Sequence, residues 1–182
     1  MTNENKLLES LFNLCKKLNN LEDPNLVAEE LLKQPQLPNF LMEFINSPYY
    51  NFSRKIDKKE NILYILGYKL LSAIVLALII YIKYKEKIKE PLKEAIREGF
   101  KYAESLKNEE AFLIGFISKI KKYMFYPELE EILKKANFPL DILIKNNKPK
   151  IQSLNQKDLE NIEKYTNILM NLIESYAKKL RD

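Results

Sequence analysis

The most apolar stretch of the chain is Ile62–Ile82, which reads ILYILGYKLLSAIVLALIIYI. Lys69 is its only charged residue, and Gly67, one of three glycines in the chain, interrupts it. A membrane span needs about 20 consecutive apolar residues, and the uninterrupted run from 70 to 82 is shorter than that. We therefore predict a helix ending just before Gly67, a tight corner there, and a buried core helix at about 69–86 rather than a membrane span.

The segments on either side repeat apolar residues at the spacing of amphipathic helices. Asp23 and Pro24 fit the N-cap and first position of one helix, and Asp57 and Glu60 have nearly the spacing of a capping box before the central stretch. No alternation typical of strands is present. The fold class is therefore all-α, a compact bundle around the buried helix with a long C-terminal helix. The other helices are expected at about 5–18, 24–33, 35–45, 91–106, 108–120, 126–136 and 156–180.

The chain of 182 residues fits one domain. Residues 1–145 are expected to form the all-α domain. Residues 146–182 are expected to form a linker and the C-terminal helix, packed on the same domain. The segment from Lys145 to Lys150 is the most linker-like, because it combines two asparagines, a proline and three lysines.

The net charge of +5 permits nucleic acid or an acidic membrane surface as a partner. Nearly all of the positive charge is lysine, with arginine only at Arg54, Arg97 and Arg181. Arginine is the preferred side chain for bidentate contacts to phosphates and bases. Nucleic-acid binding therefore stays an alternative, for which the candidate residues are Lys83, Lys87, Lys121 and Lys122.

The residues of common catalytic sites are missing from the sequence. There is no histidine, which excludes the usual catalytic triads and imidazole zinc sites. No glycine-rich phosphate loop is present, and Cys15, the single cysteine, stands among leucines as a buried thiol would. The polar N-terminus has no signal-peptide pattern. We expect a cytoplasmic protein that is not an enzyme and uses no cofactor or metal.

Short motifs follow one another between residues 26 and 82: a Gln-Pro break, a Leu-rich helix, Asn-Ser, an aromatic loop ending in Arg-Lys-Ile, and a Leu-Gly corner. They stand at Gln34-Pro35, Leu37, Leu41, Asn46-Ser47, Tyr49-Tyr50, Arg54-Lys55-Ile56 and Leu66-Gly67. In this order they resemble the HDOD family, the HD-related output domain of bacterial signalling proteins. The resemblance implies a helical, HD-like fold and a regulatory role without catalysis.

Related HD-type phosphohydrolases bind metal through a His-Asp pair in a pattern like G-L-L-H-D-I-G-K. The matching segment here is 115–122, in which Ser118 and Lys119 stand at the places of histidine and aspartate. A lysine ammonium has no lone pair with which to bind a cation. The resemblance therefore implies a degenerate member that lacks the metal-binding residues, and it makes a residual phosphohydrolase the least favoured function.

The expected function is signal transduction through contacts with a signalling protein partner. Contact residues lie disproportionately on loops, and aromatic residues and arginine dominate many interfaces. The aromatic loop from Asn46 to Lys55 is thus the candidate surface. An alternative, which we favour for the aromatic residues, is that they fold back on the helices and only shape the domain. The candidate partner-binding residues are Tyr49, Tyr50, Phe52, Arg54 and Lys55.

Overall fold

The computed structural model describes residues 2–144 and 150–181, and over these residues the chain is helical without a strand, as predicted. Three short 3-10 helices, Lys59–Asn61, Lys85–Ile88 and Glu109–Ala111, connect longer elements. The α-helices are α1 (Asn3–Asn19), α2 (Pro24–Leu32), α3 (Leu37–Ile45), α4 (Ile62–Tyr84), α5 (Lys89–Leu106), α6 (Phe112–Ile120), α7 (Tyr126–Lys135), α8 (Asp141–Ile144) and α9 (Gln156–Arg181).

Several helix starts follow from local sequence. The Asp23 carboxylate accepts a hydrogen bond of 2.8 Å from the Asn25 amide, so the predicted cap of α2 is confirmed. Asn108 caps the 3-10 helix that leads into α6. The capping box expected at Asp57 and Glu60 is wrong, because a 3-10 turn intervenes and neither side chain caps α4.

The central helix α4 is broken at Gly67, as predicted. Gly67 has φ 77° and ψ 165°, a conformation that is essentially restricted to glycine. A Cβ added there would meet no atom within 4 Å, so backbone conformation rather than lack of space requires the glycine. Every residue from 70 to 82 is buried. The buried helix predicted at about 69–86 is confirmed, although its last turn is 3-10 and begins at Lys85.

In the part of the chain that the structure describes, one helical stretch, Lys59–Leu106, is long and apolar enough to cross a membrane. Of its most apolar window, 78% is buried inside the protein. The core helices of soluble proteins and membrane spans both pass this test of length and composition. The absence of a membrane span therefore stays a prediction.

Two glycines bring α5 and α6 into close contact. A Cβ at Gly115 would lie 2.4 Å from the backbone oxygen of Glu98, and one at Gly99 would lie 2.7 Å from the Phe112 ring. Real Cβ atoms do not approach other atoms so closely, so both positions need glycine for lack of space. This close crossing fixes the start of α6 beside the middle of α5.

The long helix α9 packs against α3 and α5. Arg97 on α5 makes a bidentate ion pair with Glu163 on α9, with N–O distances of 2.7 and 3.0 Å. Lys89 and Glu174 pair at 3.2 Å nearer the end of α9. The linker expected at 145–150 lies mostly outside the described residues, and the boundary drawn at residue 145 remains a prediction.

Candidate functional site

The candidate loop, residues 46–55, is closed at its base by a side chain. Asn46 donates from Nδ2 to the Ile56 carbonyl at 2.8 Å and accepts from the Ile56 amide at 2.7 Å. Asn46 Nδ2 also donates a hydrogen bond to the Met42 carbonyl, which connects the loop to α3. A compact loop whose ends are held together in this way is an Ω-type loop, a kind of loop that often carries function.

The first two aromatic residues of the loop turn inward. Tyr49 stacks on Phe44 of α3, with ring centroids 5.2 Å apart, and meets Phe100 of α5 at 5.2 Å. Tyr165 of α9 meets the edge of Tyr49 at 5.0 Å. Tyr50 packs edge-on against Phe44 and Tyr49. These two tyrosines thus join three helices, as expected if they shape the domain.

Burial controls the electrostatics of this cluster. Desolvation is the largest cause that raises the pKa of both Tyr49 and Tyr50, and the Glu109 carboxylate raises each further. The Tyr50 hydroxyl donates to Glu109 Oε2 at 3.4 Å. Partial burial in turn raises the pKa of Glu109, and the bond from Tyr50 opposes that effect. Both hydroxyls are therefore neutral hydrogen-bonding groups at any physiological pH.

The remaining candidate residues face outward. Phe52 stacks parallel on Tyr50, with centroids 5.4 Å apart, yet 44% of its surface is exposed. Arg54 and Lys55 are exposed, and within the described residues neither makes an ion pair. Phe52, Arg54 and Lys55 line a cleft of about 470 Å³, together with Asn46, Ser47, Pro48 and Asn51. The loop thus has an inner face that packs on the helices and an outer face that is exposed.

A second cleft is lined in part by Tyr49. It has a volume of about 300 Å³, and its walls come from the end of α5, from Glu109 and from Tyr165 of α9. Sequence reasoning missed Tyr165 and Glu109 as neighbours of the loop. Nothing in the local pattern of α9 could have shown this contact, because Tyr165 stands more than a hundred residues after the loop.

Residues 115–120, the helical part of the segment that the resemblance places at the metal-binding motif of HD-type phosphohydrolases, are mostly buried. Ser118 is buried and its hydroxyl donates to the Gly115 carbonyl at 2.9 Å, within the same helix. Lys119 is only partly buried. Among residues 2–144 and 150–181, no group of three His, Cys, Asp or Glu side chains is placed to hold a metal ion. Cys15 is fully buried, and desolvation raises the pKa of its thiol well above the usual range.

The four lysines of the nucleic-acid alternative lie near one end of the bundle. Tyr84, next to Lys83, donates a hydrogen bond of 2.8 Å to Glu128 in the first turn of α7. Tyr123 donates to Glu94 in the second turn of α5. These bonds bring the end of α4, which carries Lys83, and the α4–α5 connection, which carries Lys87, beside the α6–α7 turn, which carries Lys121 and Lys122.

Comparison with known proteins gave one match. The family model described as HDOD domain matches residues 7–137, which is most of the chain and includes the closed loop, the Gly67 corner and α4. No curated protein and no solved structure matches the chain. The match ends at the C-terminus of α7, so α9, which covers one side of the aromatic cluster, lies beyond it.

Proposed function

The chain belongs to the HDOD domain family, and we propose that it is a non-catalytic regulatory domain that acts in signal transduction by binding another protein through the outer face of the 46–55 loop. The family supports a regulatory or output role. The split of the loop into a packed inner face and an exposed outer face is the observation that carries the choice of surface.

The outer face combines features that favour protein binding. Asn46 and the inward tyrosines hold the loop in one conformation, so little conformational entropy is lost when a partner binds. Phe52 presents an aromatic ring that is already stacked on Tyr50, and Arg54 supplies a planar cation beside it. Aromatic and arginine side chains account for much of the binding energy at interfaces. A partner with an acidic residue beside an apolar groove would suit this surface.

The proposal that the domain is non-catalytic follows from the available side chains. The chain has no histidine, and the resemblance places Ser118 and Lys119 at the positions where HD-type enzymes have their His-Asp pair. Ser118 is committed to a hydrogen bond inside α6 and is buried. We therefore assign no role in phosphate-ester hydrolysis to this segment.

The proposal is tested by partner capture with matched variants. The double variant Phe52→Ala/Arg54→Ala removes the outer face. The control, Tyr64→Ala/Lys58→Ala, removes an aromatic ring that is 89% exposed and an exposed lysine near the start of α4. Quantitative mass spectrometry of proteins captured from the native host is expected to show a partner that the parent and the control retain and the loop variant loses.

The control changes exposed side chains, so its thermal unfolding should match that of the parent within about 0.5 kcal/mol per substitution. The loop variant also loses the stacking of Phe52 on Tyr50, so a further loss of about 0.5 to 1.5 kcal/mol is expected, and circular dichroism should show that it is folded. If a folded loop variant captured the same proteins as the parent, the outer face would not be the binding surface. Loss of the same proteins from both variants would equally contradict the assignment.

A further inference from the structure

A second group of exposed aromatic residues lies in the turn between α6 and α7 and at the first position of α7. Phe125 is 69% exposed, and Tyr123 and Tyr126 are each 47% exposed. Among the described residues, none of these three rings packs on another aromatic ring. We call Tyr123, Phe125 and Tyr126 the aromatic turn. Three exposed rings within four residues concentrate aromatic surface in one place, whereas exposed hydrophobic residues that are scattered singly need no explanation.

The backbone of the aromatic turn is fixed by hydrogen bonds. The amides of Tyr123 and Met124 both donate to the Ile120 carbonyl, at 3.0 and 3.2 Å. Directly afterwards α7 begins at Tyr126, with Pro127 in its first turn. The hydroxyl of Tyr123 is held by Glu94. The rings are therefore presented from a defined conformation and not from a loose loop.

Lysines lie just before the aromatic turn in the sequence and on the segment that the bond from Tyr84 to Glu128 joins to α7. Five of these lysines make no ion pair within 4 Å to any residue in 2–144 or 150–181. They are Lys83, Lys87, Lys119, Lys121 and Lys122. Lys83, Lys87 and Lys122 are exposed, and the other two are partly buried. We call these five residues the lysine-rich end.

We propose that the aromatic turn and the lysine-rich end together bind single-stranded nucleic acid without sequence preference. Unpaired bases stack on exposed aromatic rings, while cations beside the rings contact the phosphates, and this combination is how many proteins hold single strands. A duplex hides the faces of its bases from the rings. This surface is separate from the 46–55 loop, so the inference does not rest on the protein contact proposed above.

The kind of cation sets the expected specificity. Neither 83–87 nor 119–126 contains arginine, the residue best suited to bidentate base contacts. Lysine binds phosphate as a point charge, and contacts to phosphate carry no sequence information. Glu94 and Glu128 are close by and repel phosphate. We expect dissociation constants in the range of non-specific binding, about 10⁻⁴ to 10⁻⁶ M at physiological salt.

Fluorescence anisotropy with a labelled oligothymidylate of about 20 nucleotides, longer than a single such site, tests the proposal. The parent protein should bind this probe at low salt more tightly than it binds a duplex of the same length. Phe125→Ala/Tyr126→Ala should weaken binding of the single strand at least tenfold and leave binding of the duplex nearly unchanged, because only the single strand stacks on the rings.

The charged residues have a separate signature. Lys121→Gln/Lys122→Gln should weaken the binding of both the single strand and the duplex. For the single strand, the slope of log K against log salt should become less steep by about 0.7 for each lost phosphate contact. Two controls distant from the aromatic turn, Tyr64→Ala and Lys58→Gln/Lys59→Gln, should bind as the parent does. Unchanged circular dichroism of each variant establishes that it is folded.

Three outcomes would overturn the proposal. The first is no saturable binding of oligothymidylate at low salt. The second is equal binding of single strand and duplex with no effect of the aromatic substitutions, which would indicate only diffuse electrostatic attraction. The third is co-sedimentation with phosphatidylserine vesicles that depends on Phe125 without any binding of the oligonucleotide, which would assign the surface to a membrane.

Discussion

Two short segments of the chain, 46–55 and 119–126, each combine three aromatic residues with neighbouring cations. In the first, α9 and α5 cover Tyr49, and Tyr50 packs beside it, so that only Phe52 remains largely exposed. In the second, all three side chains are exposed, and a bond from the Tyr123 hydroxyl to Glu94 ties the turn to α5. The same composition therefore packs mainly inward in one segment and faces mainly outward in the other. What differs is how far helices that are distant in the sequence cover the rings.

The largest effect is expected at Tyr49. Replacing it with alanine removes contacts to Phe44, Phe100 and Tyr165 at the junction of three helices. We expect Tyr49→Ala to lower the free energy of unfolding by about 3 kcal/mol, near the low end for a buried aromatic residue because its ring is partly exposed. Urea unfolding measures this. A loss below about 1 kcal/mol would show that the inner face of the loop is not structural.

A smaller effect is expected at Asn46, which closes the loop. Asn46→Ala removes two hydrogen bonds to Ile56 and one to Met42. The expected loss is about 1 to 2 kcal/mol, because exposed neutral hydrogen bonds contribute modestly. Hydrogen exchange should show faster exchange of the Ile56 amide and unchanged protection in α4. Faster exchange throughout the protein would mean that the loop and the core unfold together.

The next effect depends on pH. Burial raises the pKa of Glu109 above its ordinary value, so the folded protein binds this proton more tightly than the unfolded chain does. The contribution of this group to stability is therefore largest below the unfolded pKa and falls as pH rises through the folded one. Relative to the parent, Glu109→Gln should gain stability as pH rises from 4 to 7, because glutamine has no charge to bury.

The matched control for this pH series is Glu60→Gln, at an exposed position before α4. Its stability relative to the parent should stay nearly constant over the same range. If Glu109→Gln instead lost stability as pH rose, the hydrogen bond from Tyr50 would outweigh burial at that carboxylate.

The smallest effect on stability is expected at the aromatic turn. Phe125→Ala should change the free energy of unfolding by no more than about 0.5 kcal/mol, because its ring is mostly in solvent. Thermal or urea unfolding of Phe125→Ala, measured together with Tyr49→Ala, compares the contribution of the two segments to stability directly. A loss comparable to that of Tyr49→Ala would mean that the turn packs in solution and is not a free binding surface.

Local chemistry accounts for what could be predicted from the sequence. The Asp23 cap, the corner at Gly67 and the long apolar run of α4 each depend on residues within a few positions of one another. The family motifs lie in the same part of the chain and correctly identified the family. The helical fold class followed from the apolar spacing of each segment alone.

The arrangement of the candidate site depends on contacts between distant residues. The contact of Tyr49 with Tyr165 and the ion pair of Arg97 with Glu163 are set by how α9 lies across α3 and α5. No local sequence pattern predicts how α9 lies across these helices. For the same reason the sequence could not show that Tyr50 turns inward while Phe125 stays exposed, since both stand in aromatic segments beside cations.

The central claim is that the 46–55 loop binds a protein and the aromatic turn binds nucleic acid. Its most direct test is photo-crosslinking in the native host, with a photoreactive amino acid placed at Phe52 in one strain and at Phe125 in another. Position 52 should give a protein adduct that nuclease does not change. Position 125 should give a nuclease-sensitive adduct. A nuclease-resistant protein adduct at position 125 together with none at position 52 would contradict the account.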